Sequence, residues 1–152
     1  MSELILRDAT VADLPAILAM LAEDTIPANR EADPSDPRYL AAFKAIDADP
    51  NQRLIAAELN GRVVGTMQLS FLPGLSFKGS WRGLIEAVRI VADLRGRKLG
   101  EQMILWAVEQ CRARDCKLVQ LTSSATRTDA HRFYARLGFM QSHVGMKLHL
   151  RD

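Results

Sequence analysis

Two cysteines and three histidines are all the thiol and imidazole ligands that this sequence offers a metal. Cys111 and Cys116 match neither the CxxC redox spacing nor a zinc half-site, and no second ligand pair exists elsewhere. His131, His143 and His149 have no carboxylate or cysteine at ligand spacing, so no metal is expected. Long apolar runs are missing as well, which excludes a helical membrane span. Glu3, Arg7 and Asp8 interrupt the apolar residues at the N-terminus where a secretory signal needs an uncharged core, and a cytoplasmic protein is the expectation. An excess of one charge is the third absence. With 20 Lys and Arg against 18 Asp and Glu, the net charge of +2 is too mild for a nucleic-acid partner, which needs basic residues gathered over one face.

What is present is the composition of a folded globular chain. It has 152 residues, 48% hydrophobic and 25% charged, enough for one domain with a real core and too few for two. A single domain over residues 1–152 is expected, with no internal repeat or low-complexity segment.

The elements follow from periodicity and punctuation. Leu4, Ile5 and Leu6 form a short strand, after which Thr10 and Asp13 have the spacing of a capping box. Val11, Leu14, Ile17, Leu18 and Leu21 then recur at helical spacing, with Pro15 tolerable in the first turn. Residues 23–37 carry three prolines and five acids and form a surface loop. Asp36 and Pro37 open a second helix whose buried stripe is expected to be Tyr39, Leu40, Phe43 and Ile46. Two β-rich runs, 54–59 and 62–71, meet at Asn60-Gly61, residues that accept the positive φ of a tight hairpin. A glycine-containing connection with Phe77 and Trp81 as packing anchors leads to a third strand, 84–91. An amphipathic helix carrying Leu99, Met103, Ile104, Ala107, Val108 and Cys111 follows, then a buried strand, 117–122, which completes a β-α-β unit. A last helix presents Ala130, Phe133, Tyr134 and Leu137 on one face and stops at Gly138, and residues 139–150 are expected to complete the sheet. The order is β-α-α-β-β-β-α-β-α-β: an α/β (α+β) mixed sheet with helices on both faces.

The segment Arg95-Gly96-Arg97-Lys98-Leu99-Gly100 joins a strand to a helix. A helix start exposes unpaired N–H groups and the positive end of the helix dipole, so a basic turn there is suited to a phosphate, although a solvated turn between core elements has the same composition. It has neither the phosphate-loop pattern GxxxxGK[ST] nor the dinucleotide pattern GxGxxG, which argues against an ordinary nucleotide-binding α/β protein.

Two segments together resemble the GCN5-related N-acetyltransferases (GNAT) in their bacterial small-molecule branch. Residues 85–90 with 95–100 are similar to the family's acyl-CoA motif, an Arg or Gln, two residues, then GxG or GxA. Residues 130–139 resemble its C-terminal helix signature FYxxLGF. The resemblance implies the acyl-CoA N-acyltransferase fold, acetyl-CoA as cosubstrate, and direct transfer of acetyl to a primary amine in a ternary complex. A catalytically weak acyl-CoA sensor of the same fold is the alternative. Lys98 departs from the motif, standing where its first glycine sits, so it must either adopt an ordinary helical-entry conformation or accept strain.

The resemblance also implies roles. The backbone of Val88, Arg89 and Ile90 would pair with pantetheine. The N–H groups of Arg97, Lys98, Leu99, Gly100 and Glu101 would meet the pyrophosphate, with Arg95 and Gly96 in the same cradle. Glu86 matches the general base of many members and is flanked by apolar residues that can desolvate it; a solvent-facing strand carboxylate or a partner for Arg89 explains it equally. Tyr134 matches the helix tyrosine that acts as general acid toward the leaving thiolate, and it sits beside Phe133 in a stripe that also reads as core. Arg127 stands where relatives have a cofactor-contacting asparagine, and Ser123 can hydrogen-bond the cofactor. The acceptor would enter near residues 23–36 and 73–81, where acidity favours a cationic amine. Relatives are often dimers, which makes a homodimer an expectation too.

Overall fold

A computed structural model describes residues 3–23 and 31–151. Its backbone is a five-stranded sheet in sequential order, β1 (Ile5–Asp8), β2 (Gln52–Leu59), β3 (Arg62–Leu72), β4 (Trp81–Ile90) and β5 (Cys116–Leu121). The first three pairings are antiparallel and the last, β4 with β5, is parallel. Around the sheet lie α1 (Leu14–Ala22), α2 (Pro37–Ala48), the single turn α3 (Ser76–Gly79), α4 (Leu99–Ala113) and α5 (Thr128–Arg136).

Alternation along the strands sorts the core into two layers. Ile55 and Ala57 of β2 join Met67, Leu69, Phe71 and Ile85 beneath Met103, Ile104, Ala107 and Cys111 of α4. Ala56, between them in sequence, points the other way and packs with Ile17 and Met20 of α1. Helices therefore cover both faces. Asn60 and Gly61 take φ of 52° and 78°, the left-handed pair required by the hairpin turn. The box at Thr10 also forms: Asp13 accepts from the Thr10 N–H at 2.7 Å and from Arg7 at 2.7 and 3.0 Å. Arg7 is the first cause that holds the Asp13 carboxyl down at about 2.

Four expectations are corrected. The strand β5, expected to be buried, has no fully buried residue and Leu118 is exposed, because it lies at the sheet's edge. No residue of α2 is fully buried; Tyr39, Phe43 and Ile46 are half-buried and Leu40 is exposed, so this helix lies loosely against the sheet. Phe77 and Trp81 are exposed, not packing anchors, because Phe77 and Lys78 in α3 take positive φ and turn the connection outward. Residues 139–150 do not complete the sheet: among the described residues they pair with no strand.

Candidate active site

The site is made by a strand that leaves its neighbour. Parallel pairing of β4 with β5 runs from Trp81↔Cys116 to Ile85↔Leu121 and stops, while β4 continues to Ile90. Directly after the last pair, β4 bulges. Glu86 faces Gln68 and Arg89 faces Thr66, so Ala87 and Val88 together oppose Met67. Ala87 adopts φ 53°, a left-handed conformation that re-aims the strand at the point where β5 departs. The Val91 N–H donates to the Val64 carbonyl, at 2.9 Å, so Val91 is turned toward β3. By strand alternation Ile90 turns its backbone N–H and C=O to the opposite edge, into the opening.

The helix start closes one end of that opening. A Cβ placed on Gly100 would sit 3.6 Å from Ile90 Cδ1 and 3.6 Å from Phe133 Cζ, so the end of β4, the first turn of α4 and α5 converge there. The first helical bond of α4 joins the Gln102 N–H to the Lys98 carbonyl at 3.2 Å. The N–H groups of Leu99, Gly100 and Glu101 precede it and have no place in the helical ladder. Lys98 itself is left-handed, at φ 62° and ψ 18°, and Gly96 has φ 83°. The lysine thus adopts the backbone that a glycine there would provide and accepts the strain, instead of entering the helix in the ordinary way. Arg95, Gly96, Arg97 and Lys98 are exposed; Arg95 also reaches Glu23 at 3.6 Å.

Tyr134 follows Phe133 on α5. Its ring is half-buried and packs edge-on against Phe133 at 5.1 Å and Phe139 at 5.8 Å between centroids. Burial raises the pKa of its hydroxyl, while the charges of Arg127 and Arg89 pull against that rise. Those two arginines are therefore its electrostatic neighbours, although Arg127 lies on the loop after β5 and Arg89 on β4. The Arg89 guanidinium also donates to the Val88 carbonyl at 2.9 Å.

Not every expected residue joins this cluster. Glu86 is exposed beside the bulge, so the enclosing apolar surroundings expected from its neighbours are absent. Ser123 is half-buried at the end of β5, while the Ser124 carbonyl is bound by His131 Nε2 at 2.7 Å. Of the acidic segment expected near the acceptor, residues 24–30 lie outside the described residues; Pro34, Ser35 and Asp36 border a cavity of about 280 Å³ between α1 and α2. The residue sequence reasoning missed is Ala87, because nothing in the run Glu86-Ala87-Val88 distinguishes a bulge from a continuous strand. Among the described residues no group of acidic, histidine or cysteine side chains could hold a metal.

A mixed sheet whose parallel pair splays over a helix start, with helices on both faces, defines the acyl-CoA N-acyltransferase fold. The chain belongs to the GNAT acetyltransferase family, whose model, described as Acetyltransferase (GNAT) family, matches residues 17–139. It is 35% identical over 138 residues to the aminoalkylphosphonate N-acetyltransferase of Salmonella typhimurium, spanning 91% of this chain and 86% of that one. Among solved structures it is similar to a Bacillus halodurans C-125 protein described as a transcriptional regulator. That likeness has a TM-score of 0.93 and 42% identity over 97% of this chain and 100% of the other. A putative acetyltransferase from Agrobacterium tumefaciens matches with a TM-score of 0.85 and 28% identity, over 95% and 99% of the two chains.

Proposed function

We propose that this protein transfers the acetyl group of acetyl-CoA to a primary amine of a small molecule or peptide, by direct attack within a ternary complex. The observation that carries the reading is the end of β4 beyond Ile85, which keeps its pairing with β3 but, among the described residues, no longer pairs with β5, and which meets the α4 start and Phe133 at Gly100. A pantetheine arm is an extended, amide-bearing chain, and the edge at Ile90 is a strand edge without a strand. The N–H groups of Leu99, Gly100 and Glu101, with Arg97 and Lys98 beside them, suit a pyrophosphate. Arg95, Gly96, Ser123, Arg127 and Phe133 complete the cosubstrate's surroundings in this reading, as do the backbones of Val88 and Arg89. The whole chain, 1–152, acts as one catalytic domain.

In the chemical step the neutral amine attacks the thioester carbon, the C–S bond breaks, and two protons must be handled. Tyr134 gives its hydroxyl proton to the departing sulfur; a tyrosine hydroxyl is protonated at neutral pH, and burial shifts this one further in that direction, so an acid is available when it is needed. Glu86 takes the proton released by the amine, through water, which its exposed position allows. Glu86→Gln should then lower turnover more than acetyl-CoA affinity, and unchanged turnover across the pH range would remove Glu86 from this role.

The name of the Salmonella relative suggests the first acceptors to try, amines tethered to an anionic phosphonate, beside the cationic amines that an acidic entrance would favour. Calorimetry with acetyl-CoA, followed by release of free CoA thiol across aminoalkylphosphonates, amino acids, polyamines and aminoglycosides, tests the reading. No acetyl-CoA binding would end it. A second reading, an acyl-CoA sensor with weak turnover, draws support from the Bacillus halodurans relative described as a transcriptional regulator. Binding of acetyl-CoA without thiol release on any amine favours that one.

A further inference from the structure

The α1 face of the sheet is apolar where Ile17 and Met20 cover it, and beside that cover it has a polar window. Gln68 of β3 stands opposite Leu54 of β2, which packs in the α1 layer, and opposite Glu86 of β4. Residues directly opposite one another share a face, so Gln68 and Glu86 lie together on the α1 side. Gln68 is the one residue of β3 between Val64 and Phe71 that is not fully buried, and Glu86 is exposed. The sheet thus meets solvent at this pair, directly after Ile85, where the pairing of β4 with β5 stops.

A row of hydrogen bonds holds Gln68. Ser70, only 4% exposed, donates from Oγ to Gln52 Oε1 at 2.7 Å, and Gln68 Nε2 donates to the same oxygen at 3.0 Å. Burying amide and hydroxyl groups in a sheet face is unfavourable unless they are paired, and Gln52 Oε1 takes both donors. A carboxamide that gives its nitrogen to β2 turns its oxygen away from β2, to the side of β4 and Glu86. Among the described residues that oxygen accepts no hydrogen bond. Two acceptors, the Gln68 amide oxygen and the Glu86 carboxylate, therefore face the same space.

We propose that Gln68, held by Gln52, orients the acceptor amine for transfer, and that with Glu86 it selects primary amines over secondary ones. The role rests on the acetyl transfer already proposed and on Glu86 as its base. A neutral primary amine has two N–H groups and one lone pair. With one N–H on Gln68 Oε1 and the other leading through water to Glu86, the lone pair is confined to a single direction, that of the thioester carbon. As the C–N bond forms and the C–S bond breaks, the proton on the Glu86 side passes to that carboxylate. The N–H on Gln68 remains in the product amide, and Tyr134 protonates the sulfur. A secondary amine has a single N–H, so it must set an alkyl group against one of the two oxygens and leave it unpaired.

Release of CoA thiol by the full chain tests this, with aminomethylphosphonate, glycine and putrescine as probes, each beside its N-methyl derivative. The wild type should favour the primary amine by about 30-fold or more in kcat/KM. Gln68→Met keeps the length of the side chain and removes its oxygen. For the primary amine kcat/KM should then fall about 5- to 30-fold, and for the N-methyl amine less than about threefold, whereas loss of a merely structural glutamine would lower both alike. The Kd for acetyl-CoA, read by calorimetry, should stay within about twofold, which also shows that the variant is folded. Gln52→Met should narrow the preference in the same way, and the double variant should be no worse than Gln68→Met alone. An unchanged ratio of primary to N-methyl amine in Gln68→Met, or strictly additive losses in the double variant, would overturn the role of Gln68 and leave the transferase standing. Thiol release by the wild type on none of the probes would strike at the proposed reaction itself, and this role would fall with it.

Discussion

Lys98 concentrates two opposed effects in one residue, and a pair of substitutions separates them. At φ 62° its backbone is left-handed, which costs an L-residue about 1–2 kcal/mol. Lys98→Gly removes that cost but frees the unfolded chain, a loss of about 0.5–1 kcal/mol, so the variant should be as stable as the wild type or up to about 1.5 kcal/mol more stable. For a chain of this length that is a rise in Tm of about 0–6 °C. Lys98→Ala keeps the strain and removes only the charge, so its Tm should not rise. Acetyl-CoA affinity sorts the other way. If the ammonium meets the phosphates, both variants lose the same exposed, salt-screened contact, about two- to fivefold in Kd at low salt and less at high salt. Calorimetry at two ionic strengths, beside thermal melts, reads all four quantities. Tighter binding by Lys98→Gly, with Lys98→Ala unchanged, would refute the reasoning. It would mean that the lysine backbone, for all its glycine-like angles, holds the cradle wrongly.

Tyr134→Phe keeps the edge-on packing with Phe133 and Phe139 and deletes only the hydroxyl, so kcat should fall about 100-fold while the KM for acetyl-CoA moves less than about threefold. Because burial raises its pKa above the ordinary 10, no loss of rate through ionisation of this tyrosine is expected as pH rises to 9, and a descending limb below that which Phe removes would count against the assignment. Asp13, held at about 2 against an ordinary 3.8, contributes about 2 kcal/mol that is present above pH 4 and lost as pH falls toward 2. Asp13→Asn should therefore destabilise by about that much at pH 7 and by little at pH 2, measured as urea midpoints. A Cβ on Gly83 would fall 2.3 Å from the Cys111 sulfur, so Gly83→Ala should cost about 1–3 kcal/mol, and adding Cys111→Ala should recover part of it; strict additivity in the double-mutant cycle would show that the clash is relieved elsewhere.

Which parts of this were readable in advance follows from how far each signal reaches along the chain. The hairpin at Asn60-Gly61, the box at Thr10 and Asp13, the proline-led start at Asp36 and the stripe from Leu99 to Cys111 are each fixed by residues within a few positions of one another, and each formed. The α4 start was legible for the same reason. The bulge at Ala87 was not. Its cause is the mismatch between β3 and β4, two residues against one, which no local pattern in either strand displays. The proximity of Arg89 and Arg127 to Tyr134 likewise arises only when β4, the loop after β5 and α5 converge. The stripe on α2 failed for a different reason: its periodicity was present, but the helix lies loosely enough that Leu40 stays in water.

Residues 139–150 show where this local legibility ends. Val144, Met146, Leu148 and Leu150 alternate with polar residues, but alternation specifies only which face seeks cover, not which edge supplies it. The segment leaves α5 from a root held by the Tyr134 carbonyl and by His131, contacts that its own alternation does not display. The failed expectation therefore rests on one fact: among the described residues, a segment with the pattern of a strand stays unpaired.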